Sequence, residues 1–266
     1  MLDAATPTHQ RVRGRAMARF TGRRLRDLHQ SGSAKVLIPR VFGRAPEVVF
    51  LNTAGGITGG DRLDYALHVD DGTCVGTTQT AERAYRSHGP MGRVSTRLTI
   101  GQGATLHWVP QEMILFDGVA LERDLSVEMA GDAELVMLET LVLGRAAMGE
   151  VLRDLHLRDR RRVTRGGKLA MVEAIGLGPD DFASSSPAGL NGAVATASLT
   201  LMAQDAEDRL NALRAVLPTD VRSAASAWDG RLTARFLAPQ AYPLRRAVAR
   251  AVEQVTCGAL PRVWQI

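Results

Sequence analysis

Apolar and polar residues alternate with a period of two at three places in this chain. Leu63, Tyr65, Leu67 and Val69 interleave with Asp64, Ala66, His68 and Asp70, the pattern of a strand with one buried face. Val94, Leu98 and Ile100 against Ser95, Arg97 and Thr99 repeat it, as do Leu121, Leu125, Val127 and Met129 against Glu122, Asp124, Ser126 and Glu128. Each run ends in a glycine turn (Asp71-Gly72, Gly101-Gln102-Gly103, Gly131-Asp132), and each turn leads into a second apolar run. The turns fall about thirty residues apart, a weak internal repeat. Such a strand-turn-strand unit cannot bury its apolar face alone, so stacking three of them into a layered β-structure is the simplest way to close a core.

Further short strands fit 12–20, 34–38, 46–51, 151–158, 168–175, 195–202 and 231–237, each bounded by Gly, Pro or Asp. Helical periodicity comes late. Asp205 is placed to cap a helix whose stripe is Leu210, Leu213, Val216 and Leu217, stopped by Pro218. In a second helix, Leu244, Ala247, Val248, Ala251, Val252 and Val255 share one face, with Pro243 near its first turn and Gly258 as its exit. The Ser-, Gly- and Pro-rich stretch Asp180 to Gly192 reads as a mobile loop. The expectation is a mainly β protein of stacked sheets, sandwich- or solenoid-like. It forms a single domain over 1–266, β-rich over 12–202, with helices near 205–217 and 243–257 packed on it.

Composition narrows the class. The 266 residues are 45% hydrophobic and 23% charged, which excludes a disordered or fibrous chain. The net charge of +5 is unevenly placed: residues 1–46 hold nine arginines and Lys35 against Asp3 and Asp27, so the remainder is slightly acidic. A uniformly basic nucleic-acid face is therefore unattractive, and Trp108, Trp228 and Trp264 lie outside the basic segment, where base stacking would want them. The first fifteen residues contain no apolar leader core, and no run of eighteen apolar residues follows, so a soluble, cytoplasmic protein is expected. Cys74 and Cys257 form no CxxC pair and suit small hydrophobes better than a disulfide or zinc site.

Four segments carry polar chemistry. Asn52 to Arg62 contains Gly55, Gly56, Gly59 and Gly60, but Asp61 stands where a phosphate loop needs Lys. It reads as a tight turn, or as a backbone-lined passage with Asp61 at its mouth. Thr78 to Ser87 reads as a polar strand and loop with a Glu82/Arg86 surface pair. Val109 to Gly118 offers Glu112 and Asp117, the minimal pair for a β-solenoid carbohydrate hydrolase. Glu139 to Glu150 sets Arg145 between carboxylates, which reads as an internal ion pair. The six histidines show no HxH, HExxH or i,i+4 spacing, and there is no G-x-S-x-G elbow.

Taken in order, these segments resemble the UreD (UreH) family of urease accessory proteins. The likeness lies in Leu51 to Arg62, Thr78-Gln79 through Tyr85-Arg86-Ser87, and Trp108 to Glu112 continuing to Phe116-Asp117-Gly118. It continues in Gly144-Arg145-Ala146-Ala147-Met148-Gly149-Glu150 and Pro261-Arg262-Val263-Trp264. It spans 12 to 264, with nothing specific matched over 179–225.

The resemblance implies a mostly β, non-catalytic scaffold that binds the urease apoprotein and UreF. UreF in turn recruits the GTPase UreG, and nickel passes to the urease site. No tightly bound cofactor is implied, only transient Ni²⁺. A conduit differs physically from a store: imidazole and thiolate would trap Ni²⁺, whereas single carboxylates, carbonyls and water exchange it. Asp61, Glu82, Ser87, Asp117, Glu139 and Glu150 are the candidate lining of such a passage. The final helix and preceding β region would face UreF, and the Arg-rich N-terminal strands an acidic urease surface. A sugar hydrolase and an Arg-rich nucleic-acid binder are the alternatives from other classes.

Overall fold

The computed structural model describes residues 11–145, 148–183, 186, 188–258 and 260–265. The three alternating runs are β5 (Arg62–Val69), β8 (Gly92–Ile100) and β11 (Val119–Met129), and the apolar runs after their turns are β6 (Thr73–Thr78), β9 (Thr105–Trp108) and β12 (Glu134–Leu143). The chain alternates between two sheets. β5, β8 and β11 pair in parallel in one, and β6, β9 and β12 in parallel in the other. Each glycine turn begins with a hydrogen bond to the strand end of the coil before it: Asp70 N–H to Phe20 O at 2.9 Å, Gly101 N–H to Val69 O at 2.8 Å and Ala130 N–H to Ile100 O at 2.9 Å. The thirty-residue repeat is thus one coil of a stack.

The first sheet runs β14-β13-β11-β8-β5-β1-β2, adding β1 (Arg13–Thr21), β2 (Arg24–Gly32), β13 (Leu155–Arg165) and β14 (Lys168–Leu177). The second runs β16-β17-β15-β12-β9-β6-β4-β3, adding β3 (Ala34–Leu37), β4 (Glu47–Asn52), β15 (Ala195–Met202), β16 (Arg222–Trp228) and β17 (Arg231–Ala238). Two short strands, β7 (Glu82–Ala84) and β10 (Met113–Leu115), pair with each other, and β10 also pairs with β12.

Two cores result. Between the sheets, Ala18, Leu67, Leu98, Val127 and Val163 stand at matched register and pack toward Cys74, Leu106 and Leu135. Behind the second sheet, α2 (Leu210–Val216) and α3 (Ala241–Thr256) close a second core with Leu199, Leu201 and Phe236. The six residues assigned to one face of the last helix, Leu244 to Val255, are all buried in α3. β12 is covered on both faces, which explains why it reads as an unbroken apolar run rather than an alternating one.

Several expectations need correction. The strand placed at 151–158 is Leu155–Arg165, because residues 153 and 154 give their N–H groups to Asp117 while alternation continues through charged positions. The strand placed at 231–237 is β17, Arg231–Ala238, and β16, which was not expected, precedes it. β2 carries no strand period in its sequence because all nine residues are exposed, so no buried face imposes one. Asp205 does not cap α2; Arg209 holds that position, and the Asp205 carboxylate binds the Arg209 guanidinium at 2.9 Å. α3 exits through a left-handed Cys257, not Gly258. Within the stretch expected to be a mobile loop, Pro179–Ala183 forms a short helix, α1, and residues 184, 185 and 187 lie outside the described residues. Ala146 and Ala147 of the fourth motif, and residues 1–10, also lie outside them.

Candidate functional site

The glycine-rich loop is a fastened turn. Gly56 has φ +155°, and a Cβ there would sit 2.2 Å from the Tyr85 ring and 2.7 Å from Arg83 O, so only glycine fits. Asp61 is buried beneath the loop, not at a mouth: its carboxylate accepts the N–H of Val12 at 2.8 Å and of Thr58 at 2.9 Å. Ser87 is likewise tied to backbone, its Oγ donating to Ala120 O at 3.2 Å and accepting Ala120 N–H at 3.0 Å. Both side chains shape the loop and point their polar atoms at main chain.

Glu82 and Glu139 come together. They line one interior cavity of about 50 Å³ between the sheets, with Tyr65, Trp108 and Arg123 among its walls. A recess of about 90 Å³ beside the glycine loop, lined by Asn52 and Gly55, adjoins it, and Tyr65, Thr78 and Glu82 border both spaces. Glu82 does not pair with Arg86, contrary to the surface-pair reading. Its carboxylate receives a long hydrogen bond from Asn52 Nδ2, 3.4 Å, and no arginine or lysine forms an ion pair with it among the described residues. Burial pushes its pKa up from 4.5 to about 7.

Glu139 begins a chain of buried charges that the sequence reading missed. It accepts Trp108 Nε1–H at 3.2 Å and pairs with Arg123; Arg123 reaches Asp159 at 3.1 Å, Asp159 meets Arg161 at 2.7 Å, and Arg161 meets Glu173 at 2.8 Å. Arg161 is 2% exposed. Burial pushes the Asp159 carboxyl up, but Arg123 and Arg161 outweigh it and hold the group below the usual carboxylate range. The signal was available as parity. Arg123 occupies the inward register between Leu121 and Leu125, and Asp159 and Arg161 the inward register between Leu157 and Val163. A charge on the core side of a strand is costly unless paired, so it marks a built network.

The remaining candidates sit elsewhere. Asp117 and Glu150 line an open pocket of about 490 Å³ with Tyr85, Arg86, Phe116 and Arg145. Arg145 grips Glu150 at 3.0 Å through two nitrogens and stacks 4.2 Å over Phe116, the ion pair expected there. The N–H groups of Arg153 and Asp154, with Arg86 beside them, hold the Asp117 carboxyl below its ordinary range. Glu112 lines a different cavity and binds Arg245 of α3 at 3.0 Å. The two carboxylates of the hydrolase reading therefore face separate spaces, each neutralised by its own arginine.

Among the described residues no three His, Cys, Asp or Glu side chains gather as a metal cluster. His107 is half-buried, and desolvation lowers its pKa to about 4 with Arg209 adding to the effect. Two tryptophans do carry arginines, Arg231 4.1 Å over Trp228 and Arg245 4.8 Å over Trp264, which linear distance from the N-terminal arginines could not show. Among the described residues no helix is long and apolar enough to cross a membrane.

Comparison with known proteins accords with these motifs. The family model described as UreD urease accessory protein matches residues 9–265. A Dinoroseobacter shibae protein named urease accessory protein UreD is 49% identical over 99% of this chain and 96% of its own. Proteins of the same name from Cereibacter sphaeroides, 49% identical over 99% of this chain and 100% of theirs, and Paracoccus denitrificans, 47% identical over 100% and 97%, match equally completely.

Proposed function

The chain belongs to the UreD family of urease accessory proteins, with a role in urease maturation, and from that premise we propose that it is a cytoplasmic, non-catalytic scaffold through which Ni²⁺ passes to urease. It binds the urease apoprotein and UreF as one unit, and UreG joins through UreF. The observation that carries this reading is the Glu82–Glu139 cavity. Two carboxylates face one interior space beside the glycine loop, and no histidine or cysteine lines that space among the described residues. Nickel is the cargo. A lone carboxylate with backbone and amide oxygens nearby holds Ni²⁺ weakly enough to release it. Asp61 and Ser87 contribute by fixing the glycine loop and the strand ends beside it, and Asp117 with Glu150 by shaping the neighbouring pocket.

Arg123 also lines the cavity and its guanidinium binds Glu139, so Glu82 is the carboxylate there that no ion pair engages among the described residues. The test is co-expression with urease subunits and partners, followed by purification and nickel measurement. Glu82→Ala and Glu139→Gln should lower urease nickel several-fold while the complex still co-purifies. Full nickel loading in both variants overturns the proposal.

A further inference from the structure

The two sheets do not end together. The first stops at β14, whose outer edge pairs with no strand among the described residues, whereas the second continues from β15 through β17 to β16. β14 lies over β15 and β17: Ser198 Oγ is 3.5 Å from Glu173 Oε2, and Arg235 Nη2 is 2.6 Å from Glu173 Oε1. Past that line a cleft of about 300 Å³ opens between β14 and the inner face of β17 and β16. Thr200, Ser226 and Thr233 lie along it, with the stacked Trp228 and Arg231 beside them and Val172 on the β14 side.

The cleft holds unused bonding capacity. Thr200 Oγ1 and Arg231 Nε are buried without a hydrogen-bond partner, and Thr200 is wholly buried. Buried polar groups normally have partners. Val172 of β14, at the border of the cleft, is 63% exposed. Charge adds direction: Arg231 and Arg235 line the cleft against Glu173 alone, and Glu173 is already shared with Arg161.

We propose that this cleft is a strand-addition site, in which an extended segment of a protein partner pairs with the free edge of β14 and turns carboxylate side chains toward Arg231 and Arg235. Main-chain hydrogen bonds along β14 supply affinity and the two arginines supply selection. The segment takes the place of an eighth strand in the first sheet and covers the polar inner face of β17 and β16. That the partner is a component of the urease complex rests on the function proposed above.

Ala224, exposed in the cleft and opposite Arg235 in the β16–β17 register, is the point of attack. The full chain is co-expressed with its urease subunits and UreF, and amide exchange over 168–177 is compared between the complex and the chain alone. In the native complex these amides should exchange at least tenfold more slowly. Ala224→Glu should abolish that protection and lower recovered complex at least tenfold, while Ala224→Lys, of similar bulk and opposite sign, should stay within twofold of native. Unchanged exchange of β14 in a complex that forms normally overturns the strand-addition site and leaves the maturation role standing. Equal loss with Glu and Lys overturns the acidic partner, and concentration-dependent protection of the chain alone assigns the edge to a second copy instead. If the native chain recovers no urease subunits, the maturation role fails and this partner with it.

Discussion

Glu82→Gln should stabilise the protein, and by more as pH rises. The carboxyl is mostly buried, and burial raises its pKa from 4.5 to about 7. At about 1.4 kcal/mol per pH unit, holding this group ionised in the folded state costs on the order of 3 kcal/mol. The folded state binds the proton more tightly than the unfolded chain does. Its stability is therefore whole below pH 4.5 and is lost as pH climbs through about 7. Glutamine keeps an oxygen for Asn52 Nδ2 and adds an amide donor whose burial costs about 1 kcal/mol at every pH. The readout is consequently the difference between two pH values. Against native protein, the variant should gain roughly 2–3 kcal/mol between pH 5 and pH 8, or several degrees in Tm for a chain of this size. Urea and thermal unfolding at both pH values measure it. A stability difference between variant and native that stays the same at pH 5 and pH 8 refutes the assignment of Glu82 as a desolvated, unpaired carboxyl.

Other consequences can be checked by simpler means. Arg161→Met leaves Asp159 and Glu173 without their shared guanidinium, so it should cost ~3–5 kcal/mol in urea unfolding, and adding Asp159→Leu and Glu173→Leu should recover much of the loss. Gly55→Ala meets nothing within 4 Å but must hold φ +77°, a penalty of about 1 kcal/mol, whereas Gly56→Ala also strikes the Tyr85 ring and should destabilise by about 2–3 kcal/mol or more. Cys74 is buried and its thiol is pushed up to about 12, while Cys257 is exposed. Native protein should therefore take up one equivalent of iodoacetamide, at Cys257, and mass spectrometry finding Cys74 modified at a comparable rate would show that the inter-sheet core opens readily.

Legibility followed from whether an element has one buried face. β5, β8 and β11 announce themselves because each turns alternate residues into the inter-sheet core, and α3 because its six apolar residues recur at helical spacing. β2 has no buried side and β16 buries only Ala225, so neither writes a period into the sequence. The ion chain was hidden for a related reason. Skipping Arg123 between Leu121 and Leu125, and ending a strand before Asp159, treats charge as a sign of the surface, although strand parity places both residues inward. Of the six candidate lining residues, residue type and motif could nominate all, but Asp61 and Ser87 are spent on backbone groups and Asp117 and Glu150 on a different pocket. Hydrogen-bond partners from about 30 to 50 positions away decide that division.

By itself the sequence determined the class of the fold, the thirty-residue coil, the apolar face of the last helix and the family, since each is written in local periodicity or in short contiguous motifs. Tertiary structure alone decided which carboxylates meet. Glu82 and Glu139 are 57 positions apart and share a cavity because parallel stacking brings β7, β10 and β12 side by side. It also decided that one sheet ends before the other, leaving β14 with a free edge. Spacing along a chain sets which face a side chain occupies, but the register between strands sets what it faces, and register is fixed by the packing of the whole core.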